Sequence, residues 1–272
     1  MNIWNVVIIQ PFLNVLLLIY SALFTIFGTS ENMFGWAIII FTILTRLLLY
    51  PLTASQQKNM SAMQEMQSSK RWQDIQKKYK GDKEKLAQEQ MKIYQEMGVN
   101  PLGSCLSMVI QFPIIIALYQ SIIRGLADTP LPLLNLSKSM YGFINGTKII
   151  PLNSHFLWMD LGQPERLYIL GFGIPVLAIL VAFTTYLQSK MMATPTMGQN
   201  DTGSQMTKMM NLYMPLMLGY FAFSFASGLA VYFVASNVTT IIQYAMMGKV
   251  DWRNLLPGKK VDKVTTTTRK SP

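Results

Sequence analysis

Within the apolar run IIIFTILTRLLLYPLT, residues 38–53, one side chain is permanently charged: Arg46. A guanidinium offers five donors and grips carboxylate or phosphate at two points. Near the centre of a bilayer it costs roughly 3 kcal/mol on insertion scales, so it needs a polar setting. Thr42, Arg46, Leu49 and Thr53 recur at spacings of four, three and four, which places them on one helical face. Ser104, Ser107 and Gln111 share a face in a second apolar segment, and Gln188 ends a third. Tyr232, Ser236, Thr240 and Gln243 share a face in the last one, with Asn237 beside them. No Asp or Glu occurs in these segments, so the arginine has no carboxylate to pair with inside the membrane. Two settings remain: backbone carbonyls in a closed bundle, or a water-filled cavity lined by amides and hydroxyls. The cavity accounts better for the residues, because it leaves the charge available to a visiting anionic group.

The elements that must position these residues follow from composition. The chain of 272 residues is 51% hydrophobic and 13% charged. The charged share is about half that of a soluble domain, which points to a membrane protein. Its single cysteine, Cys105, excludes a disulfide framework within the chain and a cysteine-based zinc site. The N-terminus has no Lys or Arg ahead of its apolar stretch and no small-residue cleavage pattern after it, so no cleaved secretory signal is predicted.

Spanning helices are predicted at 35–55, 104–124, 167–188, 208–226 and 228–247, each close to the roughly 20 residues that cross the hydrocarbon. Leaving Arg46 aside, Lys and Arg number nine in 56–100, two in 189–208 and seven in 249–272, against four in 124–166. The positive-inside rule therefore puts the first three segments in the cytoplasm and the 125–166 loop outside. Residues 1–30 contain an ambiguous apolar helix, 6–27, with a polar stripe of Gln10, Asn14, Ser21 and Thr25. The stripe favours a helix lying on the outer surface, with a full span as the alternative. Residues 56–100 read as a cytoplasmic hairpin of two helices joined at Lys80, Gly81 and Asp82 and ended by Gly98, Asn100 and Pro101. A cytoplasmic connection, 189–207, precedes the fourth span. The basic tail, 248–272, has no apolar periodicity and suits a polyanion such as ribosomal RNA, or anionic lipid.

GWAIIIFTILTRLLLYPLTASQQKNM, KKYKGDKEKLAQEQMKIYQEMGVNPLGSCLSMVIQFPIIIALYQSI and SGLAVYFVASNVTTIIQY closely resemble the most characteristic stretches of the YidC/Oxa/Alb membrane protein insertases. The resemblance covers about residues 4–250. It implies an all-α polytopic membrane protein: a five-span helical bundle with an outer-surface amphipathic N-terminal helix and a cytoplasmic helical hairpin. It further implies a hydrophilic half-membrane groove in which Arg46 attracts acidic client segments. Thr42, Gln188, Tyr232, Phe233 and Gln111 match groove positions, and Ser236 and Asn237 join them from the polar face of the last span. By their charge, Lys77 and Lys78 in the hairpin and Lys259, Lys260, Arg269 and Lys270 in the tail are the expected contacts for the ribosome or another partner.

The implied partners are nascent membrane proteins, the ribosome, membrane lipids, the Sec translocon and the signal recognition particle pathway. The implied location is the bacterial plasma membrane. No cofactor and no bond-making chemistry are implied. The chain departs from the pattern in having neither the large periplasmic domain of Gram-negative members nor the lipoprotein-type signal of many Gram-positive ones. A small-anion transporter or channel that uses Arg46 is the competing reading. A purely structural assembly factor is a third, and it leaves Arg46 without a role.

Overall fold

The computed structural model describes residues 3–79, 81–98, 103–127, 129–142, 144, 146–169, 172–192 and 202–247. Over these residues the fold is mostly helical, with two short antiparallel hairpins. A π-helical turn, Asn5–Ile9, runs into α1, Gln10–Phe27, which ends where the Gly28 N–H reaches the Phe24 carbonyl at 2.9 Å. α2 spans Met33–Leu48 and α3 spans Tyr50–Ser68.

The run predicted as a single span, 35–55, is bent: α2 and the start of α3 diverge by 58°. Pro51 explains the bend, since its ring crowds the carbonyl four residues earlier and it has no N–H to offer. Leu49, between the two helices, sits at φ −84°, ψ 1°. Arg46 is consequently in the last turn of α2, 13 residues beyond Met33 and about 20 Å along the helix. Thr53 lies past the bend, so the face predicted to join it to Thr42, Arg46 and Leu49 is not continuous.

The hairpin predicted as two helices contains three, because its first arm divides. After α3 come α4, Lys70–Lys78, and α5, Lys83–Glu96. Ser69 is extended, at ψ 144°, and caps α4: its Oγ accepts the Trp72 N–H at 3.2 Å and donates to the Met66 carbonyl at 2.6 Å. Asp82 caps α5 in the same way, taking the Lys85 N–H at 3.1 Å. Gly98, at φ 63°, ends that arm, as its position in the sequence predicted. A small core of Met66, Trp72, Ile93 and Tyr94 joins the arms, and the Arg71 guanidinium meets both carboxylate oxygens of Glu96.

α6, Gly103–Gly125, leads into α7, Pro130–Ser139, and a short α8, Gly146–Ile149. β1, His155–Phe156, pairs with β2, Met159–Asp160, in the register His155↔Asp160. β3, Leu167–Ile169, pairs with β4, Phe172–Ile174, in the register Leu167↔Ile174. The segment predicted as one span, 167–188, thus begins as a hairpin. Branched and aromatic residues broken by Gly173 suit strands, and helix starts only after Pro175, with α9 at Val176–Met192. Glu165 caps this start: its buried carboxylate accepts the Leu177 N–H at 3.0 Å and the Trp158 indole N–H at 2.9 Å. α10, Thr202–Ser224, and α11, Ser227–Met246, complete the bundle.

Asn5–Phe27 and Ser227–Met246 are each long and apolar enough to cross a membrane, and Met33–Leu48 with Tyr50–Asn59 qualifies as a bent pair. Val176–Met191 and Leu212–Ser224 are shorter apolar helices. Length and composition therefore give two to three candidate spans among the described residues, against the five predicted.

The main core gathers at the end of the bundle that carries the 125–166 loop. Leu13, Leu17, Phe34, Ile38, Leu118, Ile122, Phe156 and Leu161 are buried together there. The β1–β2 hairpin ties this end to α11: the Ser227 N–H donates to the Gln163 carbonyl at 2.8 Å and the Gly228 N–H to the Leu161 carbonyl at 3.0 Å.

Candidate functional site

α11 changes character along its length. Ser227–Phe233 are buried at the end tied to the β1–β2 hairpin, while the following turns carry Ser236, Thr240 and Gln243. Arg46 meets this polar stripe from α2. Its Nε donates to Ser236 Oγ at 3.0 Å, and Nη2 donates to the same oxygen. The Arg46 carbonyl, in the last turn of α2, accepts from Gln243 Nε2 at 3.1 Å. One residue is therefore held twice by one helix, through its head group and through its backbone. The side-chain partner is a neutral hydroxyl, which orients the guanidinium without cancelling its charge. The ion pairs found among the described residues, Arg71–Glu96, Lys85–Asp82 and Lys92–Glu89, all lie in the hairpin.

The other predicted site residues do not form one cluster. Gln111 Nε2 donates to the Tyr232 hydroxyl, which links α6 to α11 one turn from Ser236, and the buried Phe233 ring lies 5.6 Å from that of Tyr232. Asn237 instead donates to Thr184 Oγ1 at 3.0 Å and Thr185 Oγ1 at 2.8 Å, so it joins α11 to α9. Thr42 is fully buried, and its hydroxyl donates at 2.7 Å to the Ile38 carbonyl of its own helix. Gln188 is half-buried, with an Oε1 that has no partner among the described residues. Gln56 Nε2, Gln57 Oε1 and Gln243 Oε1 are likewise buried and unpartnered. A dry setting would cost about 1–3 kcal/mol for each such atom, so this half of the bundle suits water or a polar guest.

Lys77 and Lys78 are exposed on α4, and Lys78 Nζ lies 5.4 Å from the Tyr79 ring centre. Lys259, Lys260, Arg269 and Lys270 lie outside the described residues. Sequence reasoning did not single out Thr184, Thr185, Gln56 or Gln57. The signal was a pair of hydroxyls inside an apolar run and a pair of amides just past Pro51. Among the described residues no three His, Cys, Asp or Glu side chains come together as metal ligands. An apolar cavity of about 410 Å³, lined by Leu23, Phe27, Met33, Trp36 and Ile40, sits between α1 and α2 and includes none of the polar site.

Apolar helices of spanning length that carry a charge and buried amides toward one end define a helical membrane protein. A family model described as 60Kd inner membrane protein matches residues 25–253. The membrane protein insertase YidC of Oceanobacillus iheyensis is 35% identical over 256 residues, covering 91% of this chain and 84% of that one. The membrane protein insertase YidC of Fusobacterium nucleatum is 36% identical over 217 residues, covering 79% of this chain and 87% of that one. A crystal structure described as an active YidC insertase with its first transmembrane domain resolved aligns at a TM-score of 0.49 and 24% identity, covering 85% of this chain and 44% of that one. The sequence matches decide the assignment: this chain belongs to the YidC membrane protein insertase family.

Proposed function

We propose that this chain is a membrane protein insertase and chaperone that lowers the barrier for newly made membrane proteins by giving their polar ends a hydrophilic half-path. The observation that carries the reading is Arg46, held by the neutral Ser236 in a chain with no acidic residue in any predicted span. A charge oriented but not neutralised is free to attract the acidic external segment of a client. The sealed apolar core at the loop end and the unpartnered amides toward the hairpin support a groove open on one side only. Once its polar segment has crossed, the client's apolar helix leaves for lipid, which drives the process without a cofactor.

The same reading assigns five spans, with the hairpin and tail in the cytoplasm of a bacterial cell. It lays α1 along the outer surface, and three ties support this. Asn5 Oδ1 accepts from Arg124 at the far end of α6, and the chain after Gly28 leads directly into α2. In between, Asn14 donates to the Ser139 carbonyl at 2.9 Å and accepts the Tyr141 N–H at 2.7 Å. All three belong to the end of the bundle that carries the 125–166 loop. The ribosome, met through Lys77, Lys78 and the basic tail, membrane lipids, the Sec translocon and the signal recognition particle pathway complete the proposed partners.

Reconstitution of the purified protein in liposomes tests the assignment. Insertion of a single-span client supports it. Anion flux without insertion supports a transporter, and neither activity leaves a structural assembly factor.

A further inference from the structure

Gln243 holds Arg46, three residues before the bend at Leu49 that separates the membrane part of the first span from its cytoplasmic continuation. The last carbonyls of a helix lack intrahelical donors, and Pro51 cannot supply one to Leu47. Gln243 Nε2 serves the Arg46 carbonyl in this last turn at 3.1 Å. Ser236, two turns earlier on the same face of α11, holds the Arg46 guanidinium at 3.0 Å. Gln243 is buried, 5% exposed, and its Nε2 is spent on this carbonyl while its Oε1 is left for water or a guest. The two bonds fix both ends of one residue against one rigid helix. The direction of the guanidinium and the placement of the last turn of α2, from which α3 departs, are thereby set together.

We infer that Gln243 is a positioning residue: through the Arg46 carbonyl it aims the charge that meets clients and holds the 58° break that orients the cytoplasmic hairpin. This rests on the insertase reading above. The amide must donate, so Gln243→Glu and Gln243→Leu both remove the bond, whereas Gln243→His retains a ring N–H that can restore it.

The test uses the full chain in proteoliposomes, with two single-span clients that differ only in an acidic or a neutral external tail. In the same samples a distance is measured between spin labels at Glu84→Cys in α5 and Lys138→Cys in α7, with Cys105→Ala as background. Gln243→Leu is expected to slow insertion of the acidic-tail client roughly five-fold, the equivalent of one net hydrogen bond. The neutral-tail client should be unaffected, the label distance should broaden, and Gln243→His should recover part of the loss. Wild-type insertion with an unchanged distance, or equal slowing of both clients with an unchanged distance, would overturn the inference. Arg46→Ala is the control for the underlying reading. If that variant inserts acidic-tail clients normally, the groove account fails, and the label distance alone then decides whether Gln243 holds the bend.

Discussion

The ring of Phe156 lies in the space that a side chain at residue 35 would need: a Cβ built on Gly35 would stand 2.1 Å from Phe156 Cδ2 and 2.3 Å from Cγ. The β1–β2 hairpin is thereby seated on the first turn of α2, while Trp36 packs edge-on against the same ring at 6.1 Å between centres. Gly35→Ala is therefore expected to displace the hairpin and destabilise the protein by about 1–3 kcal/mol, the usual range for overpacking. Thermal unfolding in detergent would register this as a lower Tm, and Phe156→Ala in the Gly35→Ala background should relieve the clash without restoring full stability.

The hairpin should loosen in acid. Its capping carboxylate, Asp82, is held below the usual range chiefly by the Lys85 backbone N–H, and Glu96 chiefly by its hydrogen bonds from Arg71. Both groups titrate lower in the folded state than in the unfolded one. Their contribution is complete above the ordinary carboxylate range of about 4 and disappears as pH falls through the lowered folded values. Both sites are exposed, so the effect should be modest and salt-sensitive. Amide exchange in 70–96 of the intact protein, compared at pH 6 and pH 3 after correction for intrinsic rates, should show reduced protection in acid, and Glu96→Gln should remove much of the difference.

Much of this architecture is legible in residue types alone. A charge in an apolar run marks the candidate site, and a turn of Gly81 and Asp82 between two charged helical arms, with Gly98 closing the second, marks the hairpin. What the periodicity conceals is local competition. Pro51 inside an apolar segment reads as tolerated in a membrane helix, yet here it ends α2 two residues after Arg46. LYILGFGI is short and apolar enough to suit either helix or strand, and the Gly173–Pro175 stretch settles it as a hairpin. Helical wheels place Ser236 and Asn237 beside each other, but only tertiary packing sends one to Arg46 and the other to Thr184 and Thr185.

The orientation of α1 gives a third prediction. With Cys105→Ala as background, Ile3→Cys, at an exposed position, should react with a membrane-impermeant thiol reagent added outside intact cells. Labelling only from the cytoplasmic face would show that the segment spans. Asn14→Leu, which removes both bonds to 139–141, should increase amide exchange in that loop.

The tail carries seven basic residues against Asp251 and Asp262. Deleting residues 255–272 should weaken co-sedimentation with ribosomes in detergent, where no bilayer competes, and binding by the intact protein should fall steeply with added salt as phosphate contacts release counterions. Sedimentation unchanged by the deletion across a salt series would reject the ribosome role and leave the tail as a membrane-surface anchor.

The central claim is that Arg46 acts as an oriented, unneutralised charge, and the most direct measurement is client insertion into liposomes by Arg46→Ala and Arg46→Lys at matched protein levels. A charge-assisted contact is worth about 1.5–3 kcal/mol, so Arg46→Ala should insert a client with an acidic external tail at least roughly ten-fold more slowly, while Arg46→Lys retains much of the wild-type rate. Wild-type insertion of that client by Arg46→Ala would contradict the account.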